Sequence, residues 1–130
     1  VTWKLGNKAY SEKATENETS NVSVLKLGTS SVVGDATITI PAGTTKVGFY
    51  GVAWNGKSGK LTASVAGTKI YEQALASNSG AANNSPYTIT IKDTDYYEFT
   101  LPAPCEADTT VTLATVSGAT RVILWGINTY

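Results

Sequence analysis

One run constrains this chain more than any other: Thr120-Arg121-Val122-Ile123-Leu124-Trp125-Gly126-Ile127-Asn128. Its apolar residues are mostly β-branched or aromatic, so it reads as a β-strand. It is apolar on both parities, unlike the alternation of a strand with one wet face. Something must cover both faces, or the outer face is itself a contact surface. If Val122 and Leu124 point to the core, then Arg121, Ile123, Trp125 and Ile127 share the opposite side.

The rest of the chain supplies partners of the same kind. Trp3–Gly6 reads as a short edge strand, and residues 7–21 are polar enough to read as a surface loop with a helical turn. Val22–Leu27 is a strand. Ala36-Thr37-Ile38-Thr39-Ile40 alternates strictly, with its threonines outward. In Lys46–Trp54, Val47, Phe49, Gly51 and Ala53 form one face; Tyr50, Val52 and Trp54 form the other. Asn55–Gly59 has hairpin chemistry, and Leu61–Val65 and Lys69–Glu72 flank the turn at Ala66-Gly67. Residues 76–86 lack a hydrophobic anchor and read as the longest loop. Tyr87–Ile91 and Tyr96–Leu101 follow, the latter with Tyr97, Phe99 and Leu101 inward. Thr110–Val116 leads through Ser117-Gly118-Ala119 into the last strand.

Eight or so short strands, with turns every 8–12 residues and no 3.6-residue period, predict an all-β, antiparallel β-sandwich of jelly-roll type. The length of 130 residues fits a single domain over 1–130 with a core that needs no staples.

Much chemistry is excluded by composition. Without histidine there is no Ser-His-Asp or Cys-His machinery and no histidine-ligated zinc. The single cysteine, Cys105, cannot form an intrachain disulfide and reads as a half-buried structural thiol. No phosphate-binding glycine loop is present. A glycosidase needs only two carboxylates, but the acids here fall in turns or on alternate strand positions, as solvating charge does. The chain therefore reads as a non-enzyme with no required cofactor. Asp93-x-Asp95 and Glu106-x-Asp108 could each lend oxygens to a calcium ion bracing a loop; paired acids in turns are more often simple turn formers.

Formal net charge is zero and only 15% of residues are charged, which argues against nucleic acid as a partner. No apolar run approaches the roughly 18–20 residues of a membrane span, so no membrane insertion is expected. The chain opens at Val1 without a signal peptide and has no methionine, so it reads as a processed protein or an excised module. Its wealth of Thr, Ser, Gly and Asn suits a secreted or surface-exposed protein.

The aromatic set is the informative one: three Trp and seven Tyr against two Phe. Tyr and Trp join an apolar face to a polar tip, which suits wet contact surfaces. Sugar rings offer C–H faces that stack on such rings, while their hydroxyls need partners such as Asn, Arg and Glu. By strand parity Tyr50, Trp54, Tyr96 and Trp125 point outward, with Asn55, Glu98 and Arg121 beside them. These seven residues are the expected ligand-binding set. The competing reading puts Trp54 and Trp125 under the long loops as a satellite core.

Three stretches, Thr44–Trp54, Ala82–Thr88 and Ala119–Ile127, resemble a β-sandwich accessory module of secreted or surface proteins of Bacteroidetes-type bacteria. The resemblance implies a non-catalytic domain similar to carbohydrate-binding modules. The expected function is recognition of a neutral, β-glucan-like polysaccharide or oligosaccharide by aromatic stacking, raising the local concentration of an attached glycoside hydrolase. The alternative is a structural or adhesive sandwich domain without a sugar site.

Overall fold

A computed structural model describes residues 1–16, 20–81, 87–89, 93–118 and 121–130. Eleven strands are present among them: β1 (Trp3–Leu5), β2 (Ala9–Glu16), β3 (Ser20–Leu27), β4 (Asp35–Ile40), β5 (Lys46–Ala53), β6 (Gly59–Val65), β7 (Thr68–Leu75), β8 (Tyr87–Ile89), β9 (Tyr96–Thr100), β10 (Thr109–Thr115) and β11 (Val122–Thr129). They form a five-stranded sheet in the order β1-β4-β10-β6-β7 and a six-stranded sheet in the order β8-β2-β3-β11-β5-β9. The pairing is antiparallel except where β8 runs parallel to β2. The sandwich expected from the alternation is therefore the fold, and the strictly alternating strands give its core. Ala36, Ile38 and Ile40 lie beside Leu61, Ala63, Val111 and Leu113 of the same sheet and pack in one core with Leu25, Leu27, Phe49, Val122 and Leu124 of the other. Cys105 packs half-buried at the margin of this core.

Two local expectations fail. Residues 9–16 are not loop or helical turn but β2, paired along its length with β3. Its inward contributions are small: Ala9 enters the main core, while Ala14, on the opposite face, is fully buried in a second cluster. Alanine and serine carry little hydrophobic signal, so the charges on the wet positions dominate the sequence pattern. Likewise the 76–81 segment has an anchor. Ala81 is fully buried, its carbonyl accepts from the Asn55 N–H at 2.8 Å, and the Ala76 carbonyl accepts from the Ala53 N–H at 2.8 Å.

The last strand is covered on both faces, as its apolar run requires, but not with a single parity. Across from β5, Trp125 pairs with Tyr50 and Asn128 with Gly48, so β11 holds one extra residue. The bulge contains Gly126 at φ 60°, a left-handed conformation that costs a side-chain-bearing residue roughly 1–2 kcal/mol. The extra residue reverses the alternation. Before it, Ile123 and Trp125 point away from the main core; after it, Ile127 points in, contrary to the shared parity expected from the sequence.

A methyl group at position 126 would stand 3.0 Å from Tyr50 Cδ2, so Gly126→Ala adds a displaced ring to the cost of the left-handed backbone. We expect a loss of about 1–3 kcal/mol in urea unfolding; an unchanged midpoint would mean that the bulge tolerates a side chain.

Candidate functional site

The outer face of the six-stranded sheet is where the predicted residues lie, and it is divided in two. One part is roofed. Ala14, Val24, Val52, Trp54, Ala81, Tyr87, Ile89, Ile123 and Trp125 form a cluster separate from the inter-sheet core. Trp54 is 6% exposed and Trp125 3%. Both indoles take the side of the sheet that strand parity gives, yet they are buried in the cluster that also holds Ala81 and Tyr87. They cannot offer open stacking faces, and the expectation that they do is corrected here. Tyr87 meets Trp54 edge-on at 6.0 Å. Among the described residues the buried Trp125 Nε1–H has no hydrogen-bond acceptor.

The other part is open, and tyrosines form it. Tyr50 lies nearly parallel to Trp125, at 5.8 Å and 13°, so the buried indole serves as its floor. Tyr96 meets Tyr50 at 5.0 Å with the rings tilted by 57°. It lies over Gly48, where a Cβ would strike its hydroxyl; glycine is needed there for the ring to lie flat on the sheet. The Tyr96 hydroxyl donates to Glu98 Oε2 at 3.1 Å and, its one proton so used, accepts from Tyr130 at 3.0 Å. Lys46 Nζ stands 5.1 Å from the centre of the Tyr130 ring and 3.4 Å from Glu98 Oε1. The bond to Tyr130, then burial and Glu98, raise the Tyr96 phenol well above its ordinary pKa. The result is a stepped terrace of three tyrosines flanked by a carboxylate and an ammonium, with the Tyr130 side 54% exposed.

Of the seven expected residues, Tyr50, Tyr96 and Glu98 meet in this terrace, with Trp125 beneath it. Tyr130 and Lys46 belong to it and were missed. Tyr130 has the same parity as Val122 and Leu124, so an unbroken strand would turn it inward; the bulge at Gly126 turns it out. The alternation of Lys46 with Val47 was visible, but nothing in the sequence singled that lysine out.

Trp54, Asn55 and Arg121 gather instead at one end of the sandwich. The Arg121 guanidinium carbon sits 4.2 Å from the centre of the Trp54 ring, and Lys26 Nζ stands 4.9 Å from that centre and 5.1 Å from that of Tyr10. Burial lowers the Lys26 pKa; Glu12 opposes the shift and Arg121 adds to it. Asn55 is exposed on the β5–β6 hairpin and held there by its backbone bond to Ala81.

The described candidate metal residues do not form a cluster. Among the described residues no three His, Cys, Asp or Glu side chains come together. Glu106 and Asp108 are exposed, and Asp108 Oδ1 accepts from the Ala42 N–H at 3.1 Å. Asp95 is buried, at 4% exposure, and the side chain of Asp93 lies outside the described residues.

Neither a family model nor a curated protein matches the sequence of this chain. Solved structures do match. A family 36 carbohydrate-binding module, solved with calcium and xylotriose, aligns over the whole of both chains with a TM-score of 0.57 and 12% identity. The chain has the fold of a carbohydrate-binding module. The family 6 module of Cellvibrio mixtus lichenase 5A, solved with cellotriose, aligns over 95% of each chain with a TM-score of 0.53 and 12% identity. In the Clostridium thermocellum xylanase 10B, family 22 binding and family 10 hydrolase modules share one chain, solved with xylohexaose. The present chain aligns over 98% of its length to 26% of that one, at a TM-score of 0.60 and 12% identity.

Two phenols, Tyr71 half-buried and Tyr87 buried, make the stability of the chain depend on alkaline pH. Burial first, then Tyr97, pushes the Tyr71 hydroxyl up to about 12; burial first, then Glu12, does the same for Tyr87. The unfolded chain ionises these groups near the ordinary value of 10.0, and so gains stability relative to the fold as pH rises between the two values. Stability from this source is complete below pH 10 and lost towards pH 12. Denaturant midpoints should fall across that window, and fall less in Tyr87→Phe; equal slopes in the two proteins would contradict the assignment.

Proposed function

We propose that this module is a non-catalytic, glycan-binding accessory domain of a secreted or surface protein, and that the tyrosine terrace is where a polysaccharide rests. The observation that carries the reading is the Tyr50–Tyr96–Tyr130 row: half-buried Tyr50 and Tyr96 beside exposed Tyr130, with the Tyr96 hydroxyl held by Tyr130 and by Glu98. Pyranose C–H faces stack on such rings, and Glu98 and Lys46 supply an acceptor and donors for hydroxyl groups. Fixing the phenols beforehand lowers the ordering cost of binding. The fold's neighbours support the same direction, since several were solved with xylo- or cello-oligosaccharides. A shallow, open surface of this kind implies weak single-site binding, micromolar to millimolar, or roughly −8 to −4 kcal/mol. Such a domain works by holding an attached enzyme near its substrate.

Affinity electrophoresis in gels cast with β-glucan, xylan, galactan and mannan tests this. Retardation by at least one polymer, reduced at least fivefold in Tyr96→Ala and Tyr130→Ala, is expected. Uniform mobility across the panel would leave the structural or adhesive reading in its place. Trp54→Ala, by contrast, should act through stability, at about 3–5 kcal/mol.

A calcium ion, as in the family 36 neighbour, would need carbonyl and hydroxyl oxygens for most of its shell, given how the acids are spread. EDTA is therefore expected to leave the melting temperature unchanged; a drop reversed by added calcium would reveal a bound ion.

A further inference from the structure

The charges of this module are not evenly neutralised. Glu98 faces Lys46, and Glu72 faces Lys60 and Lys69. Asp108 and Asp35 accept from backbone N–H groups at Ala42 and Asn7. Elsewhere, at the end of the sandwich where the β5–β6 hairpin, the β10–β11 turn and the β3–β4 connection meet, a pocket of about 240 Å3 is lined by Ser30, Lys57, Ser58, Gly118 and Arg121. Its two cations make no ion pair among the described residues, and no carboxylate lines it. Glu12, which acts on the neighbouring Lys26, is hydrogen-bonded to the Tyr87 hydroxyl.

Arg121 is prepared for a partner. Its guanidinium lies over the Trp54 ring at 4.2 Å, and that ring is itself locked by burial and by Tyr87. Stacking uses the flat face of a guanidinium; its N–H donors lie in the plane and point outward from the edge, in the fork that matches a carboxylate. The backbone is tied too, the Arg121 carbonyl accepting from the Trp54 N–H at 3.4 Å. Lys57 adds a mobile point charge, and Ser30 and Ser58 add hydroxyl donors. The volume falls below the roughly 300–1,000 Å3 of a whole-ligand pocket, so it suits one charged group on a larger molecule.

We propose that this pocket binds the carboxylate of a uronic acid, making the module a reader of acidic rather than strictly neutral polysaccharide. The proposal rests on the glycan-binding reading above and adds a second contact, away from the tyrosine terrace. The bidentate geometry of a fixed Arg favours a planar carboxylate over a tetrahedral sulfate ester, the other sugar-borne anion.

The test uses one polymer in two charge states. Gels are cast with polygalacturonate, with its fully methyl-esterified form, with dextran sulfate and with β-glucan. The wild-type module is expected to be retarded more by polygalacturonate than by the ester. Lys57→Ala, on an exposed hairpin, and Arg121→Lys, which keeps the charge and removes the fork, should each weaken polygalacturonate binding about tenfold. Binding lost in Tyr96→Ala but kept in these two variants identifies the terrace alone. Equal retardation by ester and acid, or acid binding indifferent to both variants, overturns the proposal and leaves glycan binding standing. Retention by dextran sulfate without polygalacturonate also overturns it, in favour of a sulfate site. Binding to no polymer removes both readings.

Discussion

One inserted residue in β11 governs what this chain shows to solvent. The strand is held on both sides, by β3 through Val122–Leu124 and by β5 along its length. Its register against the core cannot drift, because Leu124 and Ile127 must both reach the inter-sheet space. Three positions separate them, an odd number, and a regular strand would put them on opposite faces. Gly126, in a conformation open to glycine, absorbs the difference. Everything beyond the bulge is turned over, and Tyr130 comes to rest beside Tyr96 in consequence.

The outer face of the six-stranded sheet thus has two regimes. Where Ala81 and Tyr87 pack with it, a second apolar cluster forms and two tryptophans are withdrawn from water. Where that cover stops, the same aromatic row continues as tyrosines, whose hydroxyls tolerate solvent. Trp125 joins the regimes: sealed itself, it carries Tyr50 on its ring. Arg121 and Lys26 mark the other boundary, laid over the indole of Trp54 where the roof gives way to loops. The rigid, dry interior is what holds polar tips in place at both wet margins.

The sandwich itself was legible because Ala36–Ile40, Leu61–Val65 and Lys46–Trp54 alternate cleanly, and alternation is the direct imprint of one buried face. The site was legible only in part. Tyr50, Tyr96 and Glu98 stand on the side that parity assigns them. Trp54 and Trp125 also take the assigned side, but parity says which way a side chain points and not what lies above it. β2 was hidden because its buried positions are alanines, which contribute little to any hydrophobic pattern. Tyr130 was hidden because parity counting assumes an unbroken strand.

What the amino-acid order determined by itself is the class of fold, the exclusion of histidine chemistry and of thiolate metal cages, and a surplus of aromatics beyond the needs of one core. These follow from residue identity and from periods of two, which are local properties. The tertiary structure alone decided which aromatics are wet, which cations share a pocket and which glycine reverses a strand. Each depends on segments far apart in sequence meeting in space: residue 81 over residue 54, residue 130 beside residue 96, and residue 57 across a pocket from residue 121. No local pattern encodes such meetings, because they are settled by packing the whole chain at once.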